Sequence, residues 1–215
     1  MYKEWYMSGI LFVICASSGA GKTSLVNYML EQPEFAGKLE RIITYTSRPM
    51  RQHELAGQDY HFVLSEEFET LIEQGFFLEW SNAYSSYYGT PSSIISVLKG
   101  GKSLCVITDI AGALRLKQLV KRVCVIWIAV SSLALLHERL KKRGTETEAQ
   151  IARRLELAEC ELAFVQENAF YSYLIVNDEW QNAALRLKNI IKNELNEQNF
   201  SKNDIFEQDA SKVLI

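Results

Sequence analysis

Along the chain, short continuous apolar runs alternate with stretches whose apolar residues recur every three or four positions. Ile10–Cys15, Leu104–Thr108, Val123–Ala129 and Tyr173–Val176 are of the first kind and predict buried strands. Lys22–Glu31, roughly Ala111–Val120, Leu133–Lys142 and Trp180–Glu197 carry the second pattern and predict helices. Strands and helices in alternation imply an α/β fold, a parallel sheet covered on both faces. Glu148–Gln166 predicts one long helix, with Ile151, Leu155, Ala158, Leu162 and Val165 in a single apolar stripe. Arg41–Asn82 breaks the rhythm: a loop rich in Arg, Gly and Tyr, a helix near Glu66–Gln74, then the run Phe76–Trp80. We read it as a small mixed insert. The expected division is a core of residues 1–40 and 92–197, an insert of 41–91, and a polar, aperiodic tail of 198–215 that reads as frayed.

Composition narrows the class. A chain of 215 residues with 48% hydrophobic positions can bury a substantial core as one domain. A net charge of -3 supplies no global basic field for nucleic acid. The longest apolar runs, Ile10–Ala16 and Val123–Val130, are too short to span a bilayer, so no membrane partner is expected. Met1–Ser8, with Lys3 and Glu4, does not lead into a signal peptide, and Met7 is a second possible start. Cys15, Cys105 and Cys124 lie inside apolar runs, where a thiol acts as a small hydrophobe, and with Cys160 they form no C-x-x-C pair. The expectation is a reduced, cytoplasmic chain without a disulfide framework or zinc site. Monomer and homo-oligomer both remain open.

The strongest chemical signal is Ala16-Ser17-Ser18-Gly19-Ala20-Gly21-Lys22-Thr23, between a predicted strand and a predicted helix. A backbone that wraps a polyphosphate needs glycines for close approach and unusual angles. The turn and helix N–H groups then face the anion. Lys22 supplies a point charge to the β and γ phosphates, and the Thr23 hydroxyl can ligate Mg²⁺ directly or through water. Ala16 stands where the usual pattern has its first glycine. The plain alternative is a glycine-rich turn with a chance lysine; strand, loop, Lys, Thr and helix coinciding argue against it.

Further motifs narrow the nucleotide. Thr46-Ser47-Arg48-Pro49-Met50-Arg51, Gly57-Gln58-Asp59-Tyr60, Phe77-Leu78-Glu79-Trp80, Tyr87-Tyr88-Gly89-Thr90-Pro91, Arg143-Gly144-Thr145-Glu146-Thr147-Glu148, Ala152-Arg153-Arg154-Leu155 and Val176-Asn177-Asp178 follow in that order. From about Gly9 to Leu195 the chain resembles the guanylate kinases of bacterial type. The resemblance implies a three-layer P-loop fold with a GMP-binding insert and a helical lid within about 138–155. It implies ATP and GMP as substrates, Mg²⁺ with the ATP, and ATP contacts from Ser17, Ser18, Gly19, Ala20, Gly21, Lys22, Thr23, Ser24 and Asn177, the last near the adenine. It implies GMP contacts from Thr44, Arg48, Arg51, Tyr60, Glu79, Tyr88, Thr90 and Asp109. Catalytic charge stabilisation falls to Lys22, Arg48, Arg139, Arg143 and Arg154, with both substrates inducing closure.

The chemistry is consistent with these roles. Arginines can clamp a phosphate dianion, phenols of Tyr60 and Tyr88 can donate to it, and a carboxylate such as Glu79 matches guanine's N1–H and N2–H₂ donors. Simpler readings stand beside them: Arg48 and Arg51 as solvated loop charges, Glu79 as a surface carboxylate, the lid arginines as a solvated helix face, and Tyr87 as packing. The chain departs from the family's Asp-Ile-Asp-x-Gln-Gly, reading Ile107-Thr108-Asp109-Ile110-Ala111-Gly112. Ile107 and Ala111 replace the first Asp and the Gln, which leaves a second reading: a guanylate-kinase-like binding module with impaired turnover.

Overall fold

The computed structural model describes residues 9–196 apart from Ser18, His53, Tyr84 and Thr145. The expectations for Ser18, for Met1–Ser8 and the start at Met7, and for the tail of 198–215 lie outside the described residues. The elements in chain order are β1 (Leu11–Ala16), α1 (Lys22–Leu30), a 3₁₀ turn (Pro33–Phe35), β2 (Leu39–Arg41), β3 (Tyr45–Thr46), β4 (His61–Phe62), α2 (Ser65–Glu73), β5 (Phe77–Ala83), β6 (Ser86–Pro91), α3 (Ile94–Lys99), β7 (Ser103–Thr108), α4 (Ile110–Leu119), β8 (Val123–Ala129), α5 (Leu133–Arg143), α6 (Glu148–Glu167), β9 (Tyr173–Val176) and α7 (Trp180–Asn196). The α/β class follows the alternation in the sequence. The chain forms two compact units, one comprising 9–15 and 33–125, the other 16–32 and 126–196.

In the first unit, β7 lies between β1 and β2, all parallel, with Leu11 opposite Leu104 and Leu39 opposite Ser103. Leu11 to Cys15 are fully buried, as are Cys105 and Val106. Strands buried on both faces need continuous apolar sequence, which is why these were legible as unbroken runs. A second sheet has the order β4-β3-β6-β5. β3 pairs parallel with β4 and antiparallel with β6, and β5 pairs antiparallel with β6. Along β5, burial alternates: Glu79 and Ser81 point inward, Trp80 and Asn82 outward. Phe68 of α2 is fully buried and stacks on Phe77 at 4.4 Å and Tyr87 at 5.2 Å, centroid to centroid.

In the second unit, β9 pairs parallel with β8, from Ile126 opposite Tyr173 to Ala129 opposite Val176. α7 packs against α1 and β9, burying Ala183, Ala184, Leu187, Ile190 and Ile191. Tyr28 and Trp180 meet edge to face at 4.9 Å. α5 starts at Ser132, whose side chain accepts from the Leu135 N–H, and ends at Gly144 with φ 67°. α6 packs against α5 and opens with a capping box between Thr147 and Gln150. Ile151, Ala158 and Val165 are buried, while Leu155 and Leu162 are half-buried. Among the described residues no helix is long and apolar enough to cross a membrane.

Candidate active site

The turn between β1 and α1 holds Gly19 at φ 93° and Gly21 at φ 89°, angles that cost an L side chain strain. Space is also denied. A Cβ at Gly21 would lie 2.6 Å from Asn177 Nδ2, and one at Gly19 would lie 2.9 Å from Leu136 Cδ1 of α5. Asn177, 2% exposed at the end of β9, donates from Nδ2 to the Ala20 carbonyl at 2.7 Å. Its amide therefore braces the turn itself. Lys22 Nζ donates back to the carbonyls of Ala16 (2.5 Å) and Ser17 (3.3 Å). Ser24 Oγ donates to the Gly21 carbonyl. Thr23 is exposed in the first turn of α1. Two buried polar atoms here, Ser17 Oγ and Asn177 Oδ1, have no hydrogen-bond partner. Such groups are costly unless a ligand or water satisfies them.

Of the arginines predicted for a lid, in the same unit, Arg139 and Arg154 are held by acceptors of this chain. Arg139 Nη2 donates to the Asp178 carbonyl at 3.0 Å, and Asp178 Oδ1 in turn accepts from the Ser131 N–H. Arg154 pairs with the nearly buried Glu146 at 3.4 Å. Arg143 is exposed at the last position of α5. The Val130-Ser131-Ser132 turn is thus structural, a helix cap and an anchor for Asp178.

In the first unit the predicted acceptor residues fall into two neighbouring groups around the β4-β3-β6-β5 sheet. One is cationic. Arg48 Nη2 donates to both carboxylate oxygens of Glu54 at 2.7 and 2.9 Å, and Nη1 donates to the Pro49 carbonyl at 2.6 Å. Its guanidinium lies over the rings of Tyr60 (5.5 Å) and Phe62 (5.7 Å). Arg51 approaches the same Glu54 from its side chain at 3.6 Å and donates its backbone N–H at 2.8 Å. Burial is the largest single influence and works against the Arg48 charge, but the bond to Glu54 and the Glu54 charge, with Tyr88 and Tyr60 adding, together outweigh it and hold the guanidinium above its ordinary value. Burial also pushes the Glu54 carboxyl up, and the bonds from Arg48 and the Arg51 N–H bring it below the ordinary range. Tyr88 reaches Tyr60 at 6.1 Å between rings. Burial, with Tyr88 adding, raises the Tyr60 phenol, which keeps it a neutral donor. Neither arginine is a solvated loop charge.

The second group is acidic. Glu79 is 5% exposed, so it is not a surface carboxylate. Its Oε1 accepts from Thr90 Oγ1 at 2.5 Å across the β5–β6 pair, and its Oε2 has no partner. Burial pushes Glu79 up to about 7, against the Thr90 bond, with the Asp109 charge adding to the rise. Asp109 caps α4: Oδ1 accepts from the Gly112 N–H at 2.7 Å, Oδ2 from Ser81 Oγ at 2.6 Å. A Cβ at Gly112 would fall 3.0 Å from Glu79 Oε2 and 2.2 Å from Thr108 Oγ1. Thr44 is buried, and its carbonyl accepts from the His61 N–H. Tyr88 and Thr90 are two apart on β6 and share a face, so the cationic and acidic groups are neighbours along one strand. Ile107 is a core residue of β7 opposite Ile14, and Ala111 is exposed in the first turn of α4.

Sequence reading overlooked Ser81 and Glu54, and gave no role to Asp178 and Glu146, which it quoted only as motif residues. Polar residues at inward positions of β5 were the available signal for Ser81, and a carboxylate three residues after Arg51 was the signal for Glu54.

A glycine turn between a parallel strand and a helix, with Lys and Thr at the helix start, defines the P-loop class of α/β phosphate-binding proteins. Comparison with known proteins narrows this. The family described as guanylate kinase matches residues 8–194. A guanylate kinase from Thermotoga maritima is 39% identical over 192 residues, 87% of this chain and 88% of that protein. One from Streptococcus mutans is 38% identical, covering 86% of this chain and 87% of that protein. The crystal structure of a guanylate kinase from Anaplasma phagocytophilum superposes with a TM-score of 0.69 at 25% identity, covering 91% of this chain and 89% of that one. The chain belongs to the guanylate kinase family, and is an enzyme of the nucleoside monophosphate kinase class.

Proposed function

We propose that this protein transfers the γ-phosphoryl group of ATP to GMP, giving ADP and GDP. The observation that carries the choice of acceptor is the buried Glu79 carboxylate, with one oxygen satisfied by Thr90 and the other unpartnered. Guanine offers two adjacent donors, N1–H and N2–H₂, that fit such an acceptor. Adenine offers no such pair and would leave the carboxylate poorly satisfied, a mismatch that discriminates strongly. Asp109, fixed by Ser81 and the Gly112 N–H, and Thr44 and Thr90 complete the base end. Arg48, Arg51, Tyr60 and Tyr88 bind the acceptor phosphate.

The donor triphosphate lies on the N–H groups of the turn that runs from Ser17 through Gly19, Ala20 and Gly21 to Ser24. Ser17 Oγ and Asn177 Oδ1 gain partners there, and Asn177 acts chiefly by bracing the turn. Lys22 exchanges its carbonyl acceptors for phosphate oxygens. An oxygen of the GMP phosphate attacks the γ phosphorus as the bond to the β–γ bridging oxygen breaks. That nucleophile is already anionic, so no side chain serves as general base. Lys22, Arg48, Arg139, Arg143 and Arg154 offset the charge of the transfer, and water is excluded by closure.

Mg²⁺ fits this arrangement as a companion of the nucleotide. The Thr23 hydroxyl is a hard oxygen donor at the helix start, and among the described residues no group of three acidic, His or Cys side chains could cage a metal. Thr23 would hold the ion together with phosphate oxygens and water; bound there, it supplies charge neutralisation to the phosphates. We infer a cytoplasmic setting, consistent with four free cysteines.

The test is ADP formation from MgATP with GMP, beside AMP and a Lys22→Ala control. Rapid GMP-dependent turnover that Lys22→Ala abolishes is expected. GMP binding without turnover would instead favour an impaired binding module and make Ile107→Asp the first reversion to try.

A further inference from the structure

Glu54 occupies the arginines that the proposed reaction assigns to the GMP phosphate. Its carboxylate accepts from Arg48 Nη2 through both oxygens, from the Arg51 backbone N–H at 2.8 Å, and lies 3.6 Å from Arg51 Nη1. Both partners of the Arg48–Glu54 pair are largely withdrawn from solvent, with side chains 14% exposed. A carboxylate in this position could do either of two things. It could compete with phosphate for the guanidinium groups, or it could hold them in place for phosphate.

The geometry decides between them. A competitor must be able to leave. Glu54 is tied to the backbone of its own loop: its Oε2 takes the Arg51 N–H, and its own N–H donates to the Arg51 carbonyl at 3.0 Å. Withdrawing the carboxylate would strand a backbone donor and two cations, which a half-buried site does not tolerate cheaply. The Arg48 donors are also divided in a way that suits a support. Nη2 faces Glu54 and one Nη1 hydrogen faces Pro49, which leaves Nε–H and the second Nη1 hydrogen for a ligand. The guanidinium also packs over the neighbouring rings of Tyr60 and Phe62, at 5.5 and 5.7 Å from their centroids.

Resting on the reading of this site as the GMP phosphate clamp, we propose that Glu54 is a positioning residue that presets Arg48 and Arg51 for the acceptor phosphate. It fixes two flexible side chains before the ligand arrives, so less rotamer entropy is lost on binding. It also offsets part of the repulsion between two neighbouring guanidinium groups.

The experiment compares wild type, Glu54→Gln and Glu54→Asp by calorimetric binding of GMP and of guanosine, which lacks the phosphate, and by steady-state kinetics. Glu54→Gln keeps the shape but removes the charge. Its GMP affinity should fall tenfold or more and its KM for GMP rise accordingly, with guanosine affinity and KM for ATP unchanged. Glu54→Asp should fall between. Tighter GMP binding by Glu54→Gln would make Glu54 a competitor and overturn the proposal. Unchanged GMP affinity would overturn it too, and equal losses for GMP and guanosine would reduce Glu54 to a general structural role. Failure of the wild type to bind GMP at all would strike the underlying assignment of the site, a separate result.

Discussion

Glu79→Gln tests the acidic pocket through stability as well as activity. Glu79 is 5% exposed, and burial pushes its carboxyl up to about 7. An unfolded glutamate titrates near ~4.3. The folded protein therefore binds this proton more tightly than the unfolded chain. Its contribution to stability is full below ~4.3 and is lost as pH rises toward about 7, after which the loss is constant. That interval corresponds to about 3–4 kcal/mol at most. Gln removes the titration and still offers an Oε1 acceptor to Thr90. Urea unfolding, followed by tryptophan fluorescence across a pH series, should show the variant gaining on wild type. The difference should grow by roughly 2–3 kcal/mol between about pH 5 and about pH 8. At about pH 8, where Glu79 is ionised, GMP turnover by the variant should be at least ~100-fold lower, since an amide presents a donor to guanine's donors. A stability difference that does not change with pH would refute the buried, proton-binding carboxylate. Unchanged GMP preference over AMP would refute its role in base choice.

Gly112→Ala places a Cβ 2.2 Å from Thr108 Oγ1 and 3.0 Å from Glu79 Oε2, so KM for GMP should rise by at least ~10-fold, with ATP binding measured by calorimetry left intact. Phe68→Ala removes a fully buried ring stacked on Phe77 and Tyr87, and should cost about 3–5 kcal/mol in denaturant unfolding.

Much of the architecture is legible in the chain because burial on two faces demands unbroken apolar strands. Leu11–Ala16, Ser103–Thr108 and Val123–Ala129 lie within a residue of their predicted bounds. β2 is three residues long, and β6 runs Ser-Tyr-Tyr-Gly-Thr-Pro. Neither carries a period that local sequence can announce, and only pairing with a neighbouring strand makes them strands. The phosphate turn belongs to the legible part, because its glycines, lysine and threonine act through local backbone geometry within one short segment.

Residue identity named Glu79, Thr90, Asp109 and the arginines as candidates; it could not say what state each would be in. Tertiary structure decided that Glu79 is buried with one oxygen unpartnered, that Ser81 and Gly112 hold Asp109, and that Glu54 holds Arg48 and Arg51. It also decided that Asn177 is spent on the Ala20 carbonyl, 157 residues away in the chain. The division has one physical cause. Backbone angle and apolar period are properties of neighbours in sequence, whereas desolvation, charge pairing and hydrogen-bond satisfaction depend on which distant groups the fold brings within a few ångströms.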